Sequence, residues 1–509
     1  MTTKRWTLVI LSLIAAFAIA SNLLSSFTEP QFQSRLELYQ TDLVLQASEL
    51  QLDDSNFDSA RKSLLGENPT KPAIEAYSKF LQSTQAQLTK AQTELVEAKN
   101  RSVAPEETVY LEKLVAKNEK VVAETALRLG ILQAETNDLK AAQATWEKLP
   151  PAARPELESI QQTVSAVSGL FKQPPQIVND ADALIKKNLD GWFRDRSLTR
   201  LYQLQQRQTE LNEVQAQAQI KAEQAFSGLA IATSFSAIGG LLGAGLILFL
   251  LGQWAVRRKQ SVLSLDNSAT WPALWDWEAI LQVLLGFLLV GQAIVPLGLR
   301  AVLQAAGVRS DQFTSRGTAF FFLINYLLVA AVSLAILYFS IRPFLSETDR
   351  PWFRIKLGGK WILWGLGGYL VAIPIVTVIS LVNQAIWQGK GGSNPLLPIA
   401  LQGRDGVALT IFFVMAAIAA PIFEEILFRG FLLPSLTRYL PMSGAIAASA
   451  LIFAIAHLSL AEILPLTVLG MILGFVYVRS QNLLASIMIH SLWNAGTLIS
   501  LFVLGGASN

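Results

Sequence analysis

The sequence contains no cysteine, only two histidines in 509 residues, and few charges: 16% of its residues are charged while 52% are apolar. Lack of cysteine excludes disulfides, a thiol nucleophile, thioether-linked haem and thiolate-held zinc or iron–sulfur centres. The net charge of +3 gives no case for a nucleic-acid partner. So apolar a composition excludes an ordinary large soluble protein and fits a polytopic membrane protein.

Both histidines, His457 and His490, fall in apolar helical stretches, and the paired acid Glu424-Glu425 falls in a third. An ionisable group in hydrocarbon costs about 2.5–3.5 kcal/mol on insertion scales, so each needs a reason to be there. Three such helices with complementary side chains point to one site inside the membrane.

Four segments follow from the pattern. Residues 1–28 hold Lys4 and Arg5 and then an apolar run to Leu24, which reads as a signal anchor; Ala18-Ile19-Ala20 keeps a cleaved signal peptide as the alternative. Residues 29–225 are rich in Gln, Glu, Lys, Ala and Leu with helical periodicity, broken at Pro69, Pro105, Pro150-Pro151 and Pro174-Pro175. Thr125 to Gly130, with Ala141-Ala142 and Trp146, resembles one tetratricopeptide repeat, but no array follows and an ordinary helical hairpin is the simpler reading. Residues 226–358 supply additional transmembrane helices, and 359–509 carry the candidate site. Apolar spans are expected at roughly 226–252, 277–303, 317–341, 361–386, 406–428, 443–458, 463–478 and 483–505. The expected fold is all-α: a polytopic transmembrane helix bundle with an N-terminal extramembrane helical domain of coiled-coil or tetratricopeptide-like character.

Basic residues set the orientation. Lys4, Arg5, Arg257, Arg258, Lys259, Arg342, Arg350, Arg354, Lys356, Lys360, Arg429, Arg438 and Arg479 fall on one side of the spans, against Arg300, Arg309, Arg316, Lys390 and Arg404 on the other. The positive-inside rule then puts the N-terminus in the cytoplasm and residues 29–225 outside it.

Within Pro421 to Gly430, the two acids point about 100° apart on a helix, so they cannot address one centre equally. Glu425 and Arg429 are i and i+4 with the acid first, the favourable order for an ion pair. Glu424 must find its partner elsewhere. The expected partner is His457, which lies as far beyond the Leu440-Pro441 turn as Glu424 lies before it. Phe453, at i−4 from His457, shares its face and could wall the site, and His490 and Asn494 share one stripe of the last span. Each feature has a plainer reading: an intramembrane His or Asn also joins helices by hydrogen bonds, and Glu425–Arg429 alone is a structural pair. Their concentration in one short apolar region favours a site.

Glu424-Glu425-x-x-x-Arg429, Phe453-x-x-x-His457 and His490-x-x-x-Asn494 resemble, in order and spacing, the three motifs of the CPBP intramembrane protease family, which includes CAAX prenyl endopeptidases and relatives linked to bacteriocin self-immunity. The resemblance covers roughly 360–505. It implies a membrane endopeptidase acting on a membrane-associated protein or peptide. Its catalytic residues would be Glu424, His457, His490 and Asn494, supported by Glu425, Arg429 and Phe453. Glu424 with His457 suits a water-holding general base, and His490 with Asn494 suits an oxyanion. Glu424, His457 and His490 also match a His₂Glu set for one divalent metal, zinc first, while a metal-free mechanism uses the same residues. Expected partners are membrane lipid, the substrate and a protein bound by residues 29–225. A non-catalytic scaffold or immunity factor is the competing reading. A proton-coupled transporter would need internal repeats with paired broken helices, which the sequence lacks.

Overall fold

The computed structural model describes residues 2–27, 32–51, 55–101, 105–268, 271, 273, 275–308, 313–345, 353–392 and 405–507. Arg309, Arg350 and Arg404, invoked for orientation, lie outside them. Among the described residues the chain is helical, without strands. Contacts divide it into two units, residues 33–233 with 503–509, and residues 1–32 with 234–502.

The first unit follows from its amphipathic pattern. Two 31-residue helices, Thr70–Asn100 and Pro105–Glu135, pack along each other. Ala73, Tyr77, Phe80, Leu81, Thr84, Leu88 and Ala91 repeat every three or four residues, so one stripe of the first helix is buried. The stretch resembling a tetratricopeptide repeat is the end of the second long helix plus an eight-residue helix, Leu139–Trp146, capped by Asp138 through the Ala141 amide at 3.0 Å. All four proline breaks fall between helices or at a helix start, where a missing N–H costs least. Tyr77 donates to Asp42 at 2.6 Å, and Arg128 reaches Asp42 at 3.7 Å and Asp190 at 2.8 Å.

Among the described residues of the second unit, eight helices are long and apolar enough to cross a membrane: Thr3–Ser26, Gln208–Gln260 (of which the part from 234 belongs here), Trp277–Ala305, Ser315–Leu345, Trp361–Trp387, Gly406–Leu436, Leu460–Ser480 and Leu483–Val503. The chain is therefore a multi-pass integral membrane protein. The expected span at 443–458 is a shorter helix, Met442–Ile455. Its 14 residues rise about 21 Å, less than a bilayer core. It ends early because the chain turns at Leu458, whose φ is 56°.

Contacts between the helix ends define two sides. On one, Lys4 and Arg5 pair with Glu278 at 3.3 and 2.7 Å, Arg438 donates to the Trp275 carbonyl at 3.0 Å, Arg479 donates to the Val262 carbonyl at 3.0 Å, and the Leu483 amide donates to the Arg354 carbonyl at 2.8 Å. On the other, the Leu460 amide donates to Ser26 at 3.2 Å, Asn383 donates to Ala461 at 2.7 Å, and Arg316 pairs with Asp405 at 2.6 Å.

Pro374 and Pro421 interrupt two of these helices, and each break is covered from a neighbour. Pro374 leaves the Leu370 carbonyl without its helical N–H. The backbone of Gly243 covers that oxygen so closely that a Cβ there would collide with it. The second break is repaired within the site.

Candidate active site

Glu424 and Glu425 sit within the helix Gly406–Leu436, between two stretches wound in the wider i→i+5 pattern, Met415–Ala419 and Ile426–Leu432. Such bulges recur at functional sites because they re-aim side chains and free carbonyls. Here the Ala420 amide donates to Met415, and the next residue, Pro421, has no N–H to offer Ala416. Asn494, from the last helix, donates its side-chain amide to that Ala416 carbonyl at 2.8 Å. Asn494 thus closes a break in the helix that carries the acids, and its second amide N–H is left over.

Glu425 is fully buried. One carboxylate oxygen, Oε1, takes both its partners: Arg429 Nη1 at 2.8 Å and His490 Nδ1 at 2.9 Å. Arg429 is also buried; it donates to the Gly470 carbonyl at 3.2 Å and lies 4.4 Å over the Phe453 ring. The ion pair expected from i,i+4 spacing therefore forms, but the carboxylate has a second duty the spacing did not announce.

The other nitrogen of His490, Nε2, lies 3.8 Å from Glu424 Oε2. Adjacent acids thus flank the two nitrogens of one imidazole, unequally, as their angular separation requires. Glu424 Oε1 accepts from the Tyr326 hydroxyl at 3.4 Å, and Oε2 is buried without a hydrogen-bond partner among the described residues.

His457 is placed differently from the sequence expectation. It lies beyond the end of the helix Met442–Ile455, and its Nδ1 bonds back to the Phe453 carbonyl at 2.9 Å. The histidine approaching Glu424 is His490. His457 nevertheless lines the same cavity of about 280 Å³ as Glu424, His490, Asn494, Phe453 and Tyr326. Phe453 is the wall expected of it: its ring meets His457 edge-on at 4.9 Å and His490 at 5.7 Å. Tyr326, in the helix Ser315–Leu345, and Glu462 and Trp493 at the cavity's edge are the residues that sequence reasoning missed. Only the Asn325-Tyr326 pair in an otherwise apolar run could have drawn notice.

For a metal, the relevant donors are Glu424, His457 and His490. Among the described residues no three His, Asp or Glu side chains converge as a ligand set. Glu424 and His490 approach each other, and His457 does not join them. As placed, these residues do not make a three-ligand metal site.

Residues 406–496 match the family described as type II CAAX prenyl endopeptidase Rce1-like. Among curated relatives, the "Putative membrane peptidase YdiL" of Bacillus subtilis (strain 168) is 26% identical over 195 residues, covering 38% of this chain and 77% of its own. The "Membrane-embedded CAAX protease MroQ" of Staphylococcus aureus (strain USA300) is 28% identical over 180 residues, covering 34% of this chain and 70% of its own. No solved structure matches. The matched segment holds both acids, both histidines, Arg429, Phe453 and Asn494. Residues 406–496, at the C-terminal end of the membrane unit, are thus similar to the Rce1-like CAAX protease family.

Proposed function

We propose that this domain hydrolyses a peptide bond in a membrane-associated protein or peptide, using a water activated by Glu424. The observation that carries the reading is Glu424 Oε2, a buried carboxylate oxygen with no hydrogen-bond partner among the described residues, 3.8 Å from His490 Nε2 on the wall of a cavity. A water about 2.8 Å from both atoms would satisfy that oxygen.

Glu424 takes a proton from this water as the water oxygen attacks the scissile carbonyl. With Nδ1–H donating to the Phe453 carbonyl, His457 keeps Nε2 as an acceptor on the same cavity wall, and helps hold the water only if it moves toward Glu424. The oxyanion that forms accepts from His490 Nε2–H and from the remaining amide N–H of Asn494. Glu425, 2.9 Å from Nδ1, holds the His490 ring for this role. Glu424 returns the proton to the departing amine, and the C–N bond breaks to give a carboxylate and an amine. Zinc held by Glu424, His457 and His490 is the competing proposal. It would supply a Lewis acid at the water and requires His457 to move toward the other two.

The excess of basic residues on the side bearing Lys4, Arg354 and Arg479 supports placing that side, and the N-terminus, in the cytoplasm. Residues 29–225 then lie outside it, where a helical domain could capture substrate or a partner protein. Deleting them should alter which substrates are cut and leave the chemistry intact.

The test is a comparison of protein termini in host membranes carrying the wild-type chain or Glu424→Ala at matched abundance. Termini found only with the wild type identify a protease and its substrates. Identical profiles, with the variant still complementing a deletion strain, would overturn this reading in favour of a scaffold.

A further inference from the structure

A second cavity, separate from the acids and histidines, opens in the membrane unit. It has a volume of about 490 Å³ and lies among the helices 208–257, Trp361–Trp387, Met442–Ile455 and Leu460–Ser480, with Val262 to Leu265 at one end. Its lining is aliphatic and aromatic apart from Ser443 and one charge, Lys360. It is open laterally: Leu363 and Met471 on its rim are 67% and 42% exposed. Gly367 makes part of this space, since a Cβ built there meets nothing nearer than Leu246 at 3.9 Å.

Lys360 stands at the start of the helix Trp361–Trp387, is exposed, and forms no ion pair among the described residues. Lys356 is exposed four residues before it, and the Val262 end of the cavity follows directly on Arg257-Arg258-Lys259. Arg479 holds that end in place by donating to the Val262 carbonyl at 3.0 Å. The cavity thus joins an apolar, membrane-facing slot to a cationic rim, with no acid in its lining. Basic pockets between transmembrane helices with this arrangement select lipids by the charge of the headgroup.

We infer that this cavity is a binding site for an anionic glycerophospholipid, with one acyl chain in the slot past Gly367 and the phosphate at Lys360. The site is independent of the catalytic proposal and fixes a lipid against four helices of the bundle. An uncharged or zwitterionic lipid would gain the same apolar contact but not the attraction of the rim.

The experiment uses the full-length chain reconstituted with phosphatidylglycerol or phosphatidylcholine, each carrying a photoactivatable group in the middle of one acyl chain. After irradiation, the labelled peptides are mapped. Phosphatidylglycerol should label residues 363–371 and 471–476, with phosphatidylcholine labelling them less. Lys360→Ala should weaken phosphatidylglycerol labelling roughly fivefold, the loss expected for one basic residue near a lipid surface. Gly367→Phe should abolish labelling by filling the slot. If Gly367→Phe does not fold, the exposed Lys360→Glu carries the test alone. Equal labelling by the two lipids, labelling dispersed over the bundle, or labelling unaffected by Lys360→Glu would overturn the inference.

Discussion

His490 Nδ1 lies 2.9 Å from Glu425 Oε1, the same oxygen that Arg429 Nη1 approaches at 2.8 Å. One buried carboxylate therefore ties the acid helix to the last helix and fixes the ring that faces Glu424. The neighbouring acids are thus divided in role by geometry: Glu425 is enclosed by cationic and imidazole partners, while Glu424 faces the cavity.

Removing Glu425 should damage the fold before it damages chemistry. Glu425→Ala leaves Arg429, which is 1% exposed, without its counter-ion. Breaking a buried pair from one side costs about 3–5 kcal/mol. Thermal unfolding of the purified chain in detergent should show a clear loss, and the double variant Glu425→Ala/Arg429→Ala should recover part of it. A Glu425→Ala protein as stable as wild type would contradict this assignment.

Glu424→Gln should behave in the opposite way. Its Oε2 has no hydrogen-bond partner among the described residues and a glutamine can still offer an oxygen to Tyr326, so unfolding should change much less than in Glu425→Ala, while cleavage falls roughly 10²- to 10⁴-fold with the loss of the general base. The measurement is cleavage of a substrate found by terminal profiling, beside an unfolding curve on the same preparation. Retained cleavage would remove Glu424 from the mechanism.

The contrast between these acids also marks what the sequence could say. Periodicity within one helix made Glu425–Arg429 and His490–Asn494 legible, because i and i+4 share a face whatever the helix packs against. Rotation between helices is not encoded in that way. Counting residues from Leu440-Pro441 matched Glu424 to His457 in depth, yet the structure turns His490 toward it and bends His457 back to Phe453. The count assumed an unbroken helix through residue 458, whereas that helix stops at Ile455. Beyond its place beside Asn325 in an apolar run, nothing marked Tyr326, because its partner is 98 residues away and a tyrosine in an apolar span looks like any lipid-facing aromatic. The lipid slot was equally hidden, since it depends on how four helices diverge.

Chelation separates the two routes to an activated water. Because Glu424, His457 and His490 do not converge as a ligand set, cleavage should survive prolonged treatment with a strong chelator, and purified protein should carry well under one equivalent of zinc. Activity lost on chelation and restored by zinc would favour the metal route.

The helical unit should weaken as pH rises. Burial pushes the Asp42 carboxyl up to about 6 from its ordinary 3.8, against the opposing pull of Arg128 and the Tyr77 hydroxyl. Folding therefore favours neutral Asp42. The stability it contributes is complete below about pH 3.8 and is lost as pH rises through about 6. Hydrogen exchange in the helices Thr70–Asn100 and Pro105–Glu135, corrected for intrinsic rates, should show protection falling between about pH 4 and pH 6 and levelling above that. Asp42→Asn should flatten that slope; an unchanged slope would assign it to other groups.

Tyr326 provides the sharpest test of the cavity as an active site, because it lies outside the segment that matches the family. Its hydroxyl reaches Glu424 Oε1 at 3.4 Å, a long bond, and its ring meets Phe423 edge-on at 6.2 Å. Tyr326→Phe keeps the ring and removes only the hydroxyl, so packing should hold. A hydrogen bond to a charged group is worth about 1.5–3 kcal/mol, and the length here points to the lower end. Without it, Glu424 keeps its charge but loses the contact that holds Oε1 and aims Oε2 into the cavity. The expected result is about a tenfold fall in kcat with little change in KM, since each 1.36 kcal/mol of barrier is tenfold in rate. An equal rise in KM at constant kcat would make Tyr326 a substrate contact instead, and no change in either would show that Glu424 is positioned without it.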